Sequence, residues 1–391
     1  MPYIPYPVDR GTYQRVYHLL VELAKSFTID LVCLQEDASR TMEVFEPITN
    51  RCLAIPFKNQ PWAKLFPDRL VNPLPSTVAH WQDPSVLTAL KQFSEGQDYA
   101  IVQCIDLVLW PYLKAIFPDH PYRVMDRSRV DWLFQTEELN TLDLTLKERL
   151  LRKENLLKIA KLERSAYKEL RSMIVCGPDD KTFLQDKLGE SEKVFVLANG
   201  YNEQYFDVEA HPRKLSEKPS ILFCGALDYS PNVDGIDWFA SKIWPLVRAK
   251  VPEVEWWIVG KSPDARSEKW AALPGVRLIG EVPDVRPYYQ EAWIQVVPLR
   301  IGGGTRLKIV ESLGMCAPVV STTLGAQGLD LVPGQDVLLA DDAEDFSAAV
   351  AELLQLPEKR ISLEESGLNT VRSKYLWSVL GEKLTQYMLS I

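Results

Sequence analysis

The stretch "VVPLRIGGGTRLKIVESLG", residues 296–314, sets an apolar run, three glycines, two cations and a glutamate in that order. The apolar run has strand character, and the segment after the glycines has the spacing of a helix. Glycine lets the backbone approach a ligand closely and turn where other residues cannot. Successive N–H groups in such a loop form an anion-binding nest, and the helix behind adds its positive dipole end. Arg306 and Lys308 bring mobile positive charge. A phosphate or diphosphate is the anion this predicts. Lys308 is not in the G-K-[ST] context of a Walker loop, and the glycines do not follow G-x-G-x-x-G. Glu311 discriminates further. It shares a helix face with Lys308 and lies roughly 8 Å below the loop at 1.5 Å per residue. That is about the span from a diphosphate to the ribose of the same nucleotide, whose hydroxyls a carboxylate can accept. The alternative is a tight turn followed by a surface ion pair.

Outward from this motif the chain repeats one rhythm. From residue 219, "SILFCGAL", "VEWWIVG", "VRLIG", "IQVVPL", "PVVSTT" and "DVLLAD" read as strands. Helices fall at "NVDGIDWFASKIWPLVRAKV", "VRPYYQEA", near Thr305, and around 343–355 and 358–373. Apolar strands alternating with helices predict a parallel sheet covered on both faces, a Rossmann-like domain. The first half follows the same pattern: a helix over 11–26, strands at "TIDLVCLQ", "CLAIPF", "DYAIVQC", "YRVMD", "SMIVCG" and "VFVLAN", and a long helical region over 130–171. The predicted organisation is an N-terminal Rossmann-like domain over 1–205, a linker at 206–218, a second Rossmann-like domain over 219–373, and a last helix over 374–391. Two doubly wound domains are expected to face a cleft at the carboxyl ends of their strands.

The N-terminus disagrees with that pattern. "MPYIPYPVDRG" is loop-like where a doubly wound sheet opens with a buried strand. The expectation is that Met1–Ile4 is a stub of that strand or that apolar residues precede it.

Bulk properties narrow the function. The chain has 391 residues and a net charge of -9, a poor match to nucleic acid. It contains no membrane-spanning run and no signal peptide, which predicts a cytoplasmic protein. Six scattered cysteines without C-x-x-C, and four histidines, argue against a disulfide framework or a zinc site.

At the glycine motif the sequence resembles the group-1 (family 4) retaining glycosyltransferases of GT-B architecture, among them sugar transferases of exopolysaccharide and cell-envelope assembly. "ILFCGALDYSPNVDGIDWF", "WWIVGKSP" and "GVRLIGEVPDVRPYYQEAWIQVVPLRIGGGTRLKIVESLGMCAPVVSTTLGAQGL" carry the resemblance most strongly. "PYPVDRGTYQRVYHLLVELAK", "VMDRSRVDW" and "VLANGYNEQYF" carry it less specifically. It implies a second domain that holds a nucleotide-sugar donor, a first domain that holds the acceptor, and a last helix that crosses back to the first. The donor is implied to be a substrate, a UDP- or GDP-sugar, with no cofactor and no metal. By position Glu311 is implied at the ribose, Val282 and Asp284 at the base, and Gly303, Gly304, Thr305 and Lys308 at the phosphates. Gly225 and Ala226 fall at the glycine turn near the diphosphate. Asp9, Arg10 and Gly11 fall in the N-domain loop that closes over the donor.

Three departures stand out. Gly303 occupies the place of the first glutamate of the family's pair. "LDYSPNVDG" replaces the cations after the first C-domain strand and offers Asp228, Tyr229 and Asn232, with Arg306 as substitute cation. No histidine follows "DYAIVQC", where Gln103, Cys104 and Asp106 stand. No general base is therefore named; Arg306 and Lys308 are the catalytic candidates, and Cys104, Asp106 and Asp126 the acceptor-side ones. Residues 147–171 form a basic amphipathic helix, readable as an ordinary surface helix or as a peripheral contact with the inner face of a membrane. Glu163 falls on its apolar face and needs a partner. The predicted reaction is transfer of a sugar with retention to a glycan or lipid-linked acceptor. A non-catalytic nucleotide-sugar binding protein on the same fold is the alternative, and a GT-B epimerase is disfavoured because it needs more His and acidic residues in the cleft.

Overall fold

The apolar runs become strands, and the chain divides into two compact units. The computed structural model describes residues 1–8, 11–59, 69, 72–141, 144–189, 192–263, 265–301 and 306–391. The first unit comprises Met1–Ala198 and Leu380–Ile391, the second Asn199–Val379.

In the first unit, α1 (Gly11–Leu23) leads to β1 (Asp30–Gln35), which pairs in parallel with β2 (Arg51–Pro56). Then follow α2 (Pro84–Ser94), β3 (Val102–Ile105), α3 (Trp110–Ile116) and β4 (Arg123–Asp126). The long helical region is two helices, α4 (Asp131–Thr141) and α5 (Leu146–Glu169). Thr145 starts α5 by accepting from the Glu148 N–H while the Glu148 carboxylate accepts from Thr145, a reciprocal cap. β5 (Ser172–Val175), α6 (Pro178–Leu188) and β6 (Val194–Val196) complete a parallel sheet ordered β3-β4-β5-β6. Every residue of β4 and β5 is buried, as a sheet covered on both faces requires.

The N-terminal expectation has a definite outcome. The Met1 amino group donates to the Val32 carbonyl at 2.5 Å, and the Met1 carbonyl accepts from Leu34 N–H at 3.0 Å. Met1 is thus a one-residue stub beside β1. Ile4 is buried with Leu20, Leu31, Cys33 and Phe45.

The second unit holds one six-stranded parallel sheet. Its strands are β7 (Ser220–Cys224), β8 (Glu255–Val259), β9 (Val276–Gly280), β10 (Ile294–Val297), β11 (Val319–Ser321) and β12 (Leu338–Leu339). They lie in the order β12-β11-β10-β7-β8-β9. The strand order reverses between β7 and β10, the point where doubly wound sheets bind ligands. The single helix expected over 232–251 is two. α7 (Ser230–Trp238) passes through a wide π turn at Phe239–Ile243 into α8 (Trp244–Lys250). Pro245 lacks an N–H and cannot sit inside an unbroken helix, so the ladder loosens before it. Trp256 packs against Phe239 at 4.6 Å and Trp244 at 5.7 Å, a core role. α9 (Arg286–Glu291), α10 (Leu307–Gly314), α11 (Ala343–Gln355) and α12 (Pro357–Lys374) follow.

The boundaries sit elsewhere than at 205/206, 218/219 and 373/374. Tyr201 N–H donates to Tyr375 O, which ties it into the second unit. The segment read as a linker is strapped there too. Lys214 and Ser216 N–H donate to Gln290 and Glu291 carbonyls, and Arg213 donates to the carbonyls of Tyr289, Ala292 and Trp293. The last helix, α13 (Trp377–Ser390), starts in the second unit and continues into the first from Leu380 on. There the Tyr387 ring stacks on Phe195 at 3.9 Å and its hydroxyl meets Ser172 Oγ at 2.6 Å.

Candidate functional site

In the second unit Gly225 and Ala226 follow β7, and Lys308 and Glu311 stand on α10, which comes after β10. β7 delivers Gly225 directly at its end. A Cβ there would stand 2.8 Å from both Asn232 Nδ2 and Lys308 Nζ. A Cβ at Gly260 would stand 1.8 Å from the Gly225 carbonyl oxygen, so two strand-end loops touch through glycine alone. Asn232 is buried. Its Nδ2 donates to the Ala226 carbonyl at 2.8 Å, and its Oδ1 accepts from Lys308 Nζ at 2.8 Å. Lys308 sits in the first turn of α10, its ammonium 4.4 Å from the Phe223 ring centre. Burial pulls the Lys308 pKa down to about 8; Arg306 works in the same direction, and Cys224 and Glu311 oppose it. Such a lysine gains most by meeting an anion.

One turn further along α10, Glu311 accepts a long hydrogen bond from the fully buried Tyr289 hydroxyl at 3.5 Å. Burial raises the Tyr289 pKa well above its ordinary value, with Cys224 and Glu311 adding to it, so Tyr289 stays a donor. Asp284 is fixed by Arg286, whose Nε and Nη2 reach its two oxygens at 2.9 and 2.8 Å. Tyr205 donates to Asp284 at 3.2 Å and carries the Arg286 guanidinium over its ring at 4.2 Å. The carboxylate of Asp284 is therefore largely engaged inside the loop. Val282 is half-buried between exposed neighbours. Gly303, Gly304 and Thr305 lie outside the described residues, as do Asp9 and Arg10; Gly11 is the first residue of α1.

The acceptor-side candidates separate within the first unit. Cys104 is buried in β3. Asp126 is buried and engaged by Arg15, whose Nε and Nη2 reach one oxygen at 3.2 and 2.9 Å while Nη1 donates to the Leu197 carbonyl at 2.8 Å. Neither presents a free polar group to solvent, because strand packing and a buried ion pair consume them. Asp106 is different. It follows β3 with φ 61° and ψ 161°, a strained backbone for a residue with a Cβ. Its carboxylate accepts from the Ser128 N–H and hydroxyl at 3.0 Å each. Burial pushes its pKa up to about 6, opposed by Arg127 and assisted by Asp131. Glu163 finds the partner its position demanded: Arg127, at 2.9 Å, both side chains fully buried.

Sequence reasoning did not single out Tyr289, Tyr205, Arg15 or Gly260. Each works through a tertiary contact that no local spacing announces.

Residues 218–356 match the family described as glycosyl transferases group 1. The match covers the sheet of the second unit. An uncharacterized 44.6 kDa protein of the cps region of Klebsiella pneumoniae is 26% identical over 136 residues, 33% of this chain and 35% of that protein. The lipopolysaccharide core biosynthesis mannosyltransferase LpcC of Rhizobium leguminosarum bv. viciae is 28% identical over 102 residues, 26% of this chain and 29% of that protein. The chain thus aligns with about a third of the length of these relatives. Among solved structures, sucrose-phosphate synthase from Thermosynechococcus elongatus superposes with a TM-score of 0.73 at 17% identity, over 97% of this chain and 93% of that one. HepE of Anabaena, in complex with UDP and glucose, gives 0.64 at 12% identity, over 95% of each chain. At these identities the structures establish the α/β GT-B fold.

Proposed function

We propose that the protein is a retaining glycosyltransferase that moves a sugar from a nucleotide-sugar, a UDP- or GDP-sugar, to a glycan or lipid-linked acceptor. The observation that carries this is the pairing of Lys308 with Asn232 at the glycine turn of β7, with Glu311 one turn deeper on α10. That is a cation beside a close backbone approach, followed by a carboxylate at ribose distance. The first half of the arrangement suits a diphosphate and the second suits the sugar of its nucleoside. HepE, bound to UDP-glucose in another solved structure, has the same fold. As the sugar departs, negative charge grows on the diphosphate. Lys308, Arg306 and the N–H groups at the start of α10 meet it, which is stabilisation where the charge develops. No protein nucleophile is required when the acceptor attacks the face that the diphosphate leaves.

The outer face of α5 supports a lipid-linked acceptor at the inner face of a membrane. Leu146, Leu150 and Leu157 are 75%, 60% and 73% exposed. Exposed Lys153, Lys161, Arg164 and Lys168 share their helical stripe, with no acidic residue among them. Apolar side chains ringed by cations match an anionic lipid surface. No helix among the described residues is long and apolar enough to cross a membrane.

The test supplies UDP- and GDP-sugars with an acceptor extract and follows free nucleoside diphosphate, then reads the anomeric configuration of the product by NMR. Release with retained configuration is the expected result. Tight nucleotide binding without release in any acceptor extract leaves the non-catalytic alternative.

A further inference from the structure

The first unit has a pocket of its own, lined by none of the donor residues and none of Cys104, Asp106 and Asp126. It encloses about 560 Å³, the size of a small-molecule site. It lies past the carboxyl ends of three strands: Asn59 comes after β2, Leu107 and Val108 after β3, Arg129 and Asp131 after β4. Doubly wound sheets take their ligands at that end.

The walls are held from behind. The Trp81 ring lies flat on Phe57, 5.3 Å between centres and 4° between planes. The Trp81 carbonyl accepts from the buried Tyr112 hydroxyl at 2.7 Å. Gln82 Nε2 donates to the Val108 carbonyl at 3.1 Å, which ties this wall to the turn after β3. That turn starts at the strained Asp106, whose carboxylate is fixed by the Ser128 N–H. Strain of this kind persists only where the surroundings impose it, and it clusters where ligands are held. Val78 and Ile159 of α5, both buried, add apolar surface.

Charge decides what fits. Asp131 stands between two cations: Oδ2 accepts from Arg127 Nη2 at 3.0 Å, and Oδ1 accepts from Arg129 Nη2 at 3.0 Å. Arg127 also meets Glu163 at 2.9 Å, so two guanidinium groups face two carboxylates. The Arg129 guanidinium is held over the Phe134 ring at 4.1 Å. A phosphate site gathers cations and donors, whereas here a phosphate meets a carboxylate as well. The polar groups on the wall are mixed. Asn59 and Thr77, both exposed, offer an amide and a hydroxyl; Arg129 can only donate, and ionised Asp131 can only accept. Such a mixture beside an indole suits an uncharged ring that carries hydroxyls and has an apolar face.

We propose that this pocket seats an uncharged sugar ring, the terminal residue of the acceptor, against Trp81. The ring's hydroxyls meet Asn59, Thr77, His80, Arg129 and Asp131. That this sugar is the acceptor rests on the glycosyltransferase reading; the pocket's choice of an uncharged ring does not. The acceptor then presents a sugar hydroxyl and not a carrier phosphate, so it is a glycan already begun by an earlier sugar transfer.

Saturation-transfer NMR on the whole protein tests this. The probes are methyl glycosides of glucose, galactose, mannose, rhamnose and N-acetylglucosamine and the 1-phosphates of the same sugars, with UDP and GDP present to occupy the donor site. At least one glycoside is expected to bind, and at least about fivefold more tightly than its 1-phosphate. Trp81→Leu is expected to weaken that glycoside at least about fivefold, and so is Asn59→Ala with Thr77→Ala. The side chains of the double variant are exposed, so its melting temperature stays that of the parent, which separates loss of the site from loss of the fold. No glycoside signal overturns the proposal, as does a signal that the double variant leaves intact. Tighter binding of a 1-phosphate that the double variant weakens overturns it too. Calorimetry with UDP and GDP alone tests the other reading: glycoside binding without nucleotide binding leaves the sugar pocket standing and removes the transferase.

Discussion

Lys308 is where the site's chemistry is most exposed to measurement. With its pKa drawn down to about 8, the free protein loses this charge just above neutrality. A bound diphosphate stabilises the ammonium and raises its pKa, so affinity must fall as pH rises through the free value, by up to tenfold per unit. Titration calorimetry with the cognate nucleoside diphosphate between pH 7 and 9.5 is expected to show that slope, and Lys308→Met to flatten it. A flat profile in the unmodified protein means that Lys308 does not meet the phosphates. Glu311→Ala is expected to weaken nucleotide binding by roughly 1.5–3 kcal/mol, the range of a hydrogen bond to a charged group. An unchanged dissociation constant removes Glu311 from the ribose. That both residues stand on one helix was legible in the sequence, because a spacing of three positions sets a common face. The buried Tyr289 behind Glu311 was not legible: it stands 22 residues earlier in the chain and arrives only when α9 packs. Asp126 read as an acceptor contact because it ends a strand, and only the fold reveals Arg15 of α1 beneath it.

Strands fared best among the elements, since continuous apolar runs in a doubly covered sheet leave little ambiguity. β7, β8 and β10 lie where "SILFCGAL", "VEWWIVG" and "IQVVPL" put them. Helix α6 has weak apolar periodicity and passed unread. α5 shows both sides of the matter. Its buried stripe of Ile159, Ala160 and Tyr167 follows the periodicity, while the exposed leucines opposite belong to no packed core. That face yields a prediction. The protein is expected to sediment with vesicles containing phosphatidylserine at low salt and to be released as salt approaches 0.5 M, where screening is strong. Leu150→Glu with Leu157→Glu is expected to abolish sedimentation without lowering the melting temperature, because neither side chain packs inside the fold. Equal binding to neutral vesicles, or none to either, leaves α5 an ordinary surface helix.

Each unit carries its own hydrophobic core, one around Trp256, Phe239 and Phe346, the other around Trp110, Met125 and Met173. Differential scanning calorimetry with nucleoside diphosphate at 100 times its dissociation constant is therefore expected to stabilise the second unit by about 2.7 kcal/mol. Its transition alone moves upward; a common shift of every transition means that the units unfold together. The chain leaves the first unit after Ala198 and re-enters it at Leu380. Loop closure over so long an interval costs little more than over a short one, since the entropy grows only with the logarithm of length. The consequence is temporal. Domains tend to fold as units while the ribosome delivers them. The second unit is continuous and is finished once Val379 emerges, whereas the first, begun earlier, still waits for Tyr387 to reach Phe195. A nascent chain arrested after residue 379 carries a completed donor-side unit and an unfinished partner, so the half synthesised first is the half that matures last.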